Sequence, residues 1–185
     1  PIVQIENQTK RNRKIGLGIM GWADMLAMLE IPYNSDQAID FAEKIMKFIR
    51  DTARDASAEL AKERGDFPSF KESIYPAMGF KHMRNATVTT IAPTGTISII
   101  AGSSGGIEPY FAIAFYRFVM DNNKLPEVCP VFKDIAKRDG FYSEELMEKV
   151  ADTGFVHDLD EVPSKWRDVF VTSHEITPLW NIRMQ

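Results

Sequence analysis

Residues Pro93 to Ser98 read Pro-Thr-Gly-Thr-Ile-Ser and follow directly on a β-branched run, Ala86 to Ala92. Thr94, Thr96 and Ser98 put three hydroxyls at the start of an apolar helix predicted from "TGTISIIAG". The first N–H groups of a helix have no intrahelical acceptor, and the helix dipole leaves its positive end beside them. Gly95 lets a ligand come close to the backbone. A phosphate is the natural guest, and ligands of α/β proteins gather at the C-terminal ends of strands, where this turn falls. The bland alternative is an ordinary capped helix after a strand.

A second candidate weakens on inspection. "GLGIMG", Gly16 to Gly21, has the glycine spacing of a dinucleotide-binding turn. That chemistry needs a buried strand before the first glycine, whereas the preceding residues are "KRNRK". It also needs an acidic residue about 20 positions on, at the end of a second strand. Here Asp36 to Asp40 opens a helix instead. Gly16, Gly18 and Gly21 are therefore expected to let a helix start pack closely against neighbouring backbone.

Other polar groups offer less. Cys129 is the single cysteine, which excludes an internal disulfide and a multi-thiolate metal site. It stands in a loop near Pro126 and Pro130 with no base or cation beside it to activate the thiol, so it reads as a bystander. His82, His157 and His174 lack metal-ligand spacing, and no zinc or iron site is expected. Glu108 is read as bonding neighbouring turn backbone, with substrate contact as the alternative. Asn85 is expected to cap or pair backbone. Trp22, Trp166 and Trp180 are read as packing residues, and Lys10 to Lys14 as a solvated helix entry with phosphate contact as the alternative.

The elements that must position the turn follow from periodicity. Ile19, Trp22, Ala23, Leu26 and Leu29 form a helical face within Ile15 to Leu29. After "EIPYNSDQ", Ser35 caps a long helix whose apolar period runs from Ala38 to Leu60 and stops at Gly65. "DFPSFKESIYPAMGF" reads as a connecting loop. Ala86 to Ala92 reads as a strand buried on both faces, Tyr110 to Met120 as another, and "DVFVTS" as a short third. Helices are expected from Pro130 to Arg138 and from Ser143 to Asp152. Thr177 and Pro178 start a last one. Helices between isolated buried strands predict an α/β architecture.

Composition sets the class. The chain has 185 residues and a net charge of −4, from 22 basic and 26 acidic side chains. That balance gives no field to draw nucleic acid or an anionic membrane. Lone cysteine usage fits a reducing, cytoplasmic compartment, and no run of about 18 apolar residues or signal leader is present. A first residue Pro1 and a helix begun just before Gln185 raise the expectation of a piece of a longer polypeptide.

Three stretches, "RNRKIGLGIMGWADML", "NATVTTIAPTGTISIIAGSSGGIEPYF" and "VFVTSHEITPLWNIRMQ", together resemble the large catalytic chain of ribonucleotide reductase, of the adenosylcobalamin-dependent type. The resemblance extends over essentially the whole chain in order and spacing. It implies a ten-stranded α/β barrel built of two half-barrels, with residues 1–185 forming the C-terminal half-barrel as a single domain with several long helices. It also implies the reduction of ribonucleoside diphosphates to 2′-deoxyribonucleoside diphosphates for DNA synthesis. In that family a cysteine thiyl radical takes the 3′ hydrogen, the 2′ hydroxyl leaves as water, and a cysteine pair supplies two electrons.

The implied cofactor is adenosylcobalamin. The implied partners are a ribonucleoside diphosphate, the remainder of the catalytic chain and a thioredoxin-type reductant, with homodimer formation compatible and no nucleic acid or membrane. The family's diphosphate-binding turn falls on Pro93, Thr94, Gly95, Thr96, Ile97 and Ser98. No catalytic residue and no metal ligand falls on this chain, since the Asn-x-Cys-x-Glu finger loop is not among its residues, and by itself it is expected to be inactive. One departure stands out: where the family usually has Pro-Glu-Trp-His, this chain has Pro178, Leu179, Trp180 and Asn181. The di-iron-dependent reductase type and a non-catalytic phosphate-binding module stay open as alternatives.

Overall fold

The computed structural model describes residues 2–119 and 123–185, and these fall into two compact units. The first comprises residues up to Gly18 together with Ala42–Ala92, and the second comprises Ile19–Phe41 together with Pro93–Gln185.

In the first unit, α1 (Val3–Asn12) is a helix that the hydrophobic pattern does not announce, because it buries no side chain. Lys10 pairs with Glu6 one turn away, while Arg11 reaches Ser69 and Glu72 at 2.5 and 2.6 Å. α3 (Asp36–Arg64) runs for 29 residues, and its part from Ala42 onward belongs to this unit. Gly65, with φ +77°, ends it. Arg84 then donates to the carbonyls of Arg64 and Gly65, placing a cation where the helix leaves its acceptors free. The segment after it is an ordered loop with one 3-10 turn, Phe70–Glu72. Phe67, Phe70, Tyr75 and Met83 form its core, and Phe67 meets Phe70 and Tyr75 edge-on.

Ala86 to Ala92 corrects the strand expectation. It makes one isolated parallel bridge, Leu17 to Thr89. Val88 is buried, but Thr87, Thr90 and Ile91 are exposed. β-branched composition favours extended backbone, yet a ladder needs strand neighbours, and among the described residues its backbone partners are Asn12, Ile15 and Leu17, on one side. The close approach expected of the glycines is present here, but Gly16 and Gly18 precede the helix, which starts at Trp22, and Gly16 meets a side chain rather than backbone. A Cβ on Gly16 would fall 2.5 Å from Thr90 Cγ2, and one on Gly18 would fall 3.0 Å from the Thr90 carbonyl oxygen.

The second unit contains α2 (Trp22–Met28), which begins later than Ile15 because Gly21, at φ +77°, is its left-handed N-cap. Its buried face is Trp22, Ala23, Leu26 and Ala27. The first residues of α3 also lie here, and the Ser35 hydroxyl accepts from the Ala38 N–H at 3.1 Å, the cap the sequence predicts. α4 (Gly95–Ala101) precedes an antiparallel hairpin, β1 (Ala114–Val119) and β2 (Asn123–Val128), in which Ala114 pairs Val128. Met120, the last residue of the expected strand, lies outside the described residues.

α5 (Pro130–Arg138) and α6 (Glu144–Thr153) match their predicted spans, with Ser143 Oγ accepting from Leu146 N at 3.0 Å. "DVFVTS" is a second correction. Asp168 and Val169 close α7 (Ser164–Val169), and only Thr172 makes a parallel bridge, to Tyr110. Trp166, Val169 and Phe170 are all buried, a helical spacing that outweighs the β-branched composition. α8 (Pro178–Met184) completes the unit. Its core centres on Phe170 and Phe132, whose rings meet edge-on at 5.0 Å, with Tyr110 and Trp166 around them.

Candidate anion-binding site

All six expected residues lie in one turn. Thr94 is the N-cap of α4 in the left-handed region, φ 54° and ψ 22°. The first intrahelical bond runs from Ser98 N to Thr94 O at 2.9 Å, so the N–H groups of Gly95, Thr96 and Ile97 precede the helical ladder. Pro93, Gly95, Thr96 and Ile97 are exposed, Thr94 is half-buried and Ser98 is buried. A Cβ on Gly95 would meet nothing within 4 Å, and its φ is not left-handed. The fold itself therefore does not demand glycine here, and the space in front of the turn is open.

The three hydroxyls are not equivalent. Ser98 Oγ donates back to the Gly95 carbonyl at 3.2 Å, and Thr94 Oγ1 accepts from the Gly106 N–H at 2.6 Å. The exposed Thr96 hydroxyl has no hydrogen-bond partner among the described residues, and Thr94 Oγ1, an acceptor here, keeps its own O–H to donate. An anion here would be held chiefly by backbone N–H groups and the helix dipole, with these hydroxyls as side-chain donors.

The loop behind the turn is built from distant residues. Gly21 donates to the Ser104 carbonyl at 2.8 Å, and Asp24 Oδ2 accepts from the Ser104 N–H at 2.6 Å. Asp24 Oδ1 accepts from the Tyr110 hydroxyl at 2.7 Å. Tyr33, buried, donates to the Ile107 carbonyl at 3.0 Å. Sequence reading passed over Asp24 and Tyr33 because both look like ordinary helix-start and turn residues. Glu108 corrects its expectation: its N–H bonds the Gly105 carbonyl, while its exposed side chain makes no turn hydrogen bond among the described residues.

Burial first, and the Glu108 charge second, push the Tyr33 hydroxyl from 10.0 up to about 12. The fold holds this group protonated where an unfolded chain releases the proton. Its contribution to stability is thus complete below pH 10 and is lost as pH rises through about 12. Urea unfolding across that window should show the loss, and Tyr33→Phe should remove this step from the profile. Tyr110 is raised further by burial, so it stays protonated throughout.

Burial likewise pushes the Cys129 thiol up, against N–H donors from Phe132 and Val131 at the start of α5. An inert thiol fits the bystander reading. Asn85 pairs backbone as expected: it is buried, donates to the Arg13 carbonyl at 2.9 Å and accepts from Ser57 Oγ at 2.9 Å. Trp22 and Trp166 are core residues, while Trp180 lies under the Arg183 guanidinium. Among the described residues no group of three or more His, Cys, Asp or Glu side chains is placed to hold a metal ion, and no helix is long and apolar enough to cross a membrane.

The family model described as "Ribonucleotide reductase, barrel domain" matches residues 1–82 and 78–185. The chain belongs to the ribonucleotide reductase barrel-domain family. It is 52% identical over 185 residues to the vitamin B12-dependent ribonucleoside-diphosphate reductase of Thermoplasma acidophilum, covering 100% of this chain and 24% of that relative. Identity to the enzyme of that name from Mycobacterium tuberculosis is 45%, over 100% of this chain and 26% of the relative. The chain thus spans about a quarter of the length of these curated relatives.

Among solved structures, the alpha subunit of the class Id ribonucleotide reductase of Actinobacillus ureae aligns with a TM-score of 0.78 at 28% identity. That alignment covers 96% of this chain and 31% of the other. The fold is therefore that of a portion of the reductase's α/β barrel, as the sequence resemblance implied.

Proposed function

We propose that this chain is the C-terminal half of the catalytic barrel of a ribonucleoside-diphosphate reductase of the adenosylcobalamin-dependent type, and that Pro93 to Ser98 grip the substrate's diphosphate. The observation that carries the reading is the open turn itself: three N–H groups ahead of the helical ladder, a glycine the fold does not require, and an exposed Thr96 hydroxyl. Identities of 52% and 45% to reductases named vitamin B12-dependent support the cobalamin type.

The turn's work is positioning. Holding the diphosphate fixes the ribose against the radical, and such pre-orientation removes up to about 7–11 kcal/mol from a barrier in the best cases. Backbone donors in a rigid turn need no reorganisation when substrate arrives. Bond breaking lies elsewhere: the half-buried Cys129 thiol is pushed up by its desolvation, and a thiyl-forming cysteine together with a reducing pair requires thiols beyond the one present. Alone, the chain is expected to bind diphosphate without turnover.

Ile97, Ile99 and Ile100 are exposed on α4, which supports packing of this helix on the remainder of the catalytic chain. Adenosylcobalamin carries its cobalt in its own corrin ring, so a protein donor set is not what would seat it. No step is therefore assigned to the cofactor through this chain. The complete enzyme would supply it, along with the thioredoxin-type reductant.

A chimera tests the proposal. The corresponding segment of the Thermoplasma acidophilum relative is replaced by residues 1–185, and CDP turnover is followed with adenosylcobalamin and a dithiol. Formation of dCDP supports the reading. A folded chimera that binds CDP yet makes no dCDP favours the non-catalytic phosphate-binding module.

A further inference from the structure

We infer that Asp24 is a positioning residue for the diphosphate turn, acting at a distance through the left-handed conformation of Thr94; the inference rests on the diphosphate reading above. Thr94 is β-branched, yet it sits at φ 54°, a region such residues seldom enter unless surrounding structure enforces it. What enforces it is the bond from Gly106 N to Thr94 Oγ1 at 2.6 Å.

Gly106 belongs to a loop outside the helices and strands, held by the Gly21 N–H on the Ser104 carbonyl, the Trp22 N–H on the Gly106 carbonyl and Tyr33 on the Ile107 carbonyl, and Asp24 supplies its side-chain anchor. One carboxylate oxygen accepts the Ser104 N–H and the other the Tyr110 hydroxyl, while the Asp24 N–H donates to Ser104 Oγ at 3.3 Å. The carboxylate accepts from both neighbours; an amide keeps the Ser104 bond through its oxygen but turns an N–H toward the Tyr110 hydroxyl, which must then accept and redirect its own proton. Loss of the Asp24 bonds leaves Gly106 held through its carbonyl by the Trp22 N–H at 3.4 Å but loosens Ser104, so the Gly106 N–H is held less firmly on Thr94 and the left-handed turn is less well populated. Asp24 touches no ligand in this scheme.

The test is a double-mutant cycle on the chain, with inorganic pyrophosphate as the probe in calorimetry. Asp24→Asn should weaken binding about tenfold, the size expected for one charge-assisted hydrogen bond lost from a site. Thr94→Gly lets position 94 adopt the left-handed state freely and removes the Oγ1 link. In that background Asp24→Asn should cost less than about twofold. An equal loss in both backgrounds would make Asp24 a general fold stabiliser and overturn the inference, as would unchanged binding in D24N.

If the unsubstituted chain binds no pyrophosphate, the diphosphate reading itself falls and takes this one with it. A measurement needing no variant guards against misfolding of D24N. Saturating pyrophosphate should slow amide exchange at Ser104 and Gly106 in the unsubstituted chain, because site and loop are linked. Unaltered exchange there would contradict the link.

Discussion

Gly95→Val should weaken pyrophosphate or nucleoside-diphosphate binding by about 10- to 100-fold, the equivalent of one charge-assisted hydrogen bond or slightly more. The argument is geometric. An isopropyl group at position 95 projects into the space before the turn, where a Cβ meets no protein atom within 4 Å. It crowds a phosphate approaching the N–H groups of Gly95, Thr96 and Ile97. The backbone φ is acceptable to any L-residue, and replacing glycine at such a position restricts the unfolded chain. Thermal stability should therefore stay level or rise while binding falls. Calorimetry paired with thermal unfolding separates the two, and retention of full affinity would remove the turn from consideration as a phosphate site.

Phe170→Ala should destabilise the second unit by about 3–5 kcal/mol, the usual range for emptying a buried aromatic site. Phe170 is 0% exposed and its ring touches Phe132 at 5.0 Å, Tyr110 at 5.9 Å and Trp166 at 6.0 Å. These rings come from three separate stretches of the chain, Tyr110, Phe132 and the α7 end carrying Trp166 and Phe170, so the resulting hole cannot close by a shift of one element. Phe48, on the exposed side of α3 and 72% exposed, is the control. Its replacement by alanine should change stability by no more than about 0.5 kcal/mol. Urea denaturation followed by tryptophan fluorescence reads the first, since Trp166 packs directly on Phe170, and far-UV circular dichroism reads the control in α3.

Local signals were enough wherever one helix solved its own problem. The apolar period of α3, the Ser35 and Ser143 caps and the Pro130 start of α5 all lie within a few residues of the structure they dictate. The same reading missed α1, whose support comes from exposed ion pairs and from Glu72, 61 residues away, rather than from a buried face. It overcalled Ala86 to Ala92 and "DVFVTS", where β-branched residues promised ladders but only single bridges formed. In the second case the buried Trp166, Val169 and Phe170 carried the competing helical period.

The turn at Pro93 to Ser98 was legible because helix start, glycine and hydroxyls are contiguous. Which hydroxyls are free was not, since that depends on Gly106 folding back onto Thr94. Asp24 was invisible for the same reason: its partners Ser104 and Tyr110 stand 80 and 86 residues along the chain.

The most direct measurement is a titration of the isotope-labelled chain with inorganic pyrophosphate, followed through backbone amide resonances. Saturable shifts centred on Gly95, Thr96 and Ile97, weakening as salt is added, are the expected result. Shifts absent from that turn, or confined to the basic stretch Lys10 to Lys14, would contradict the assignment of Pro93 to Ser98 as the diphosphate grip.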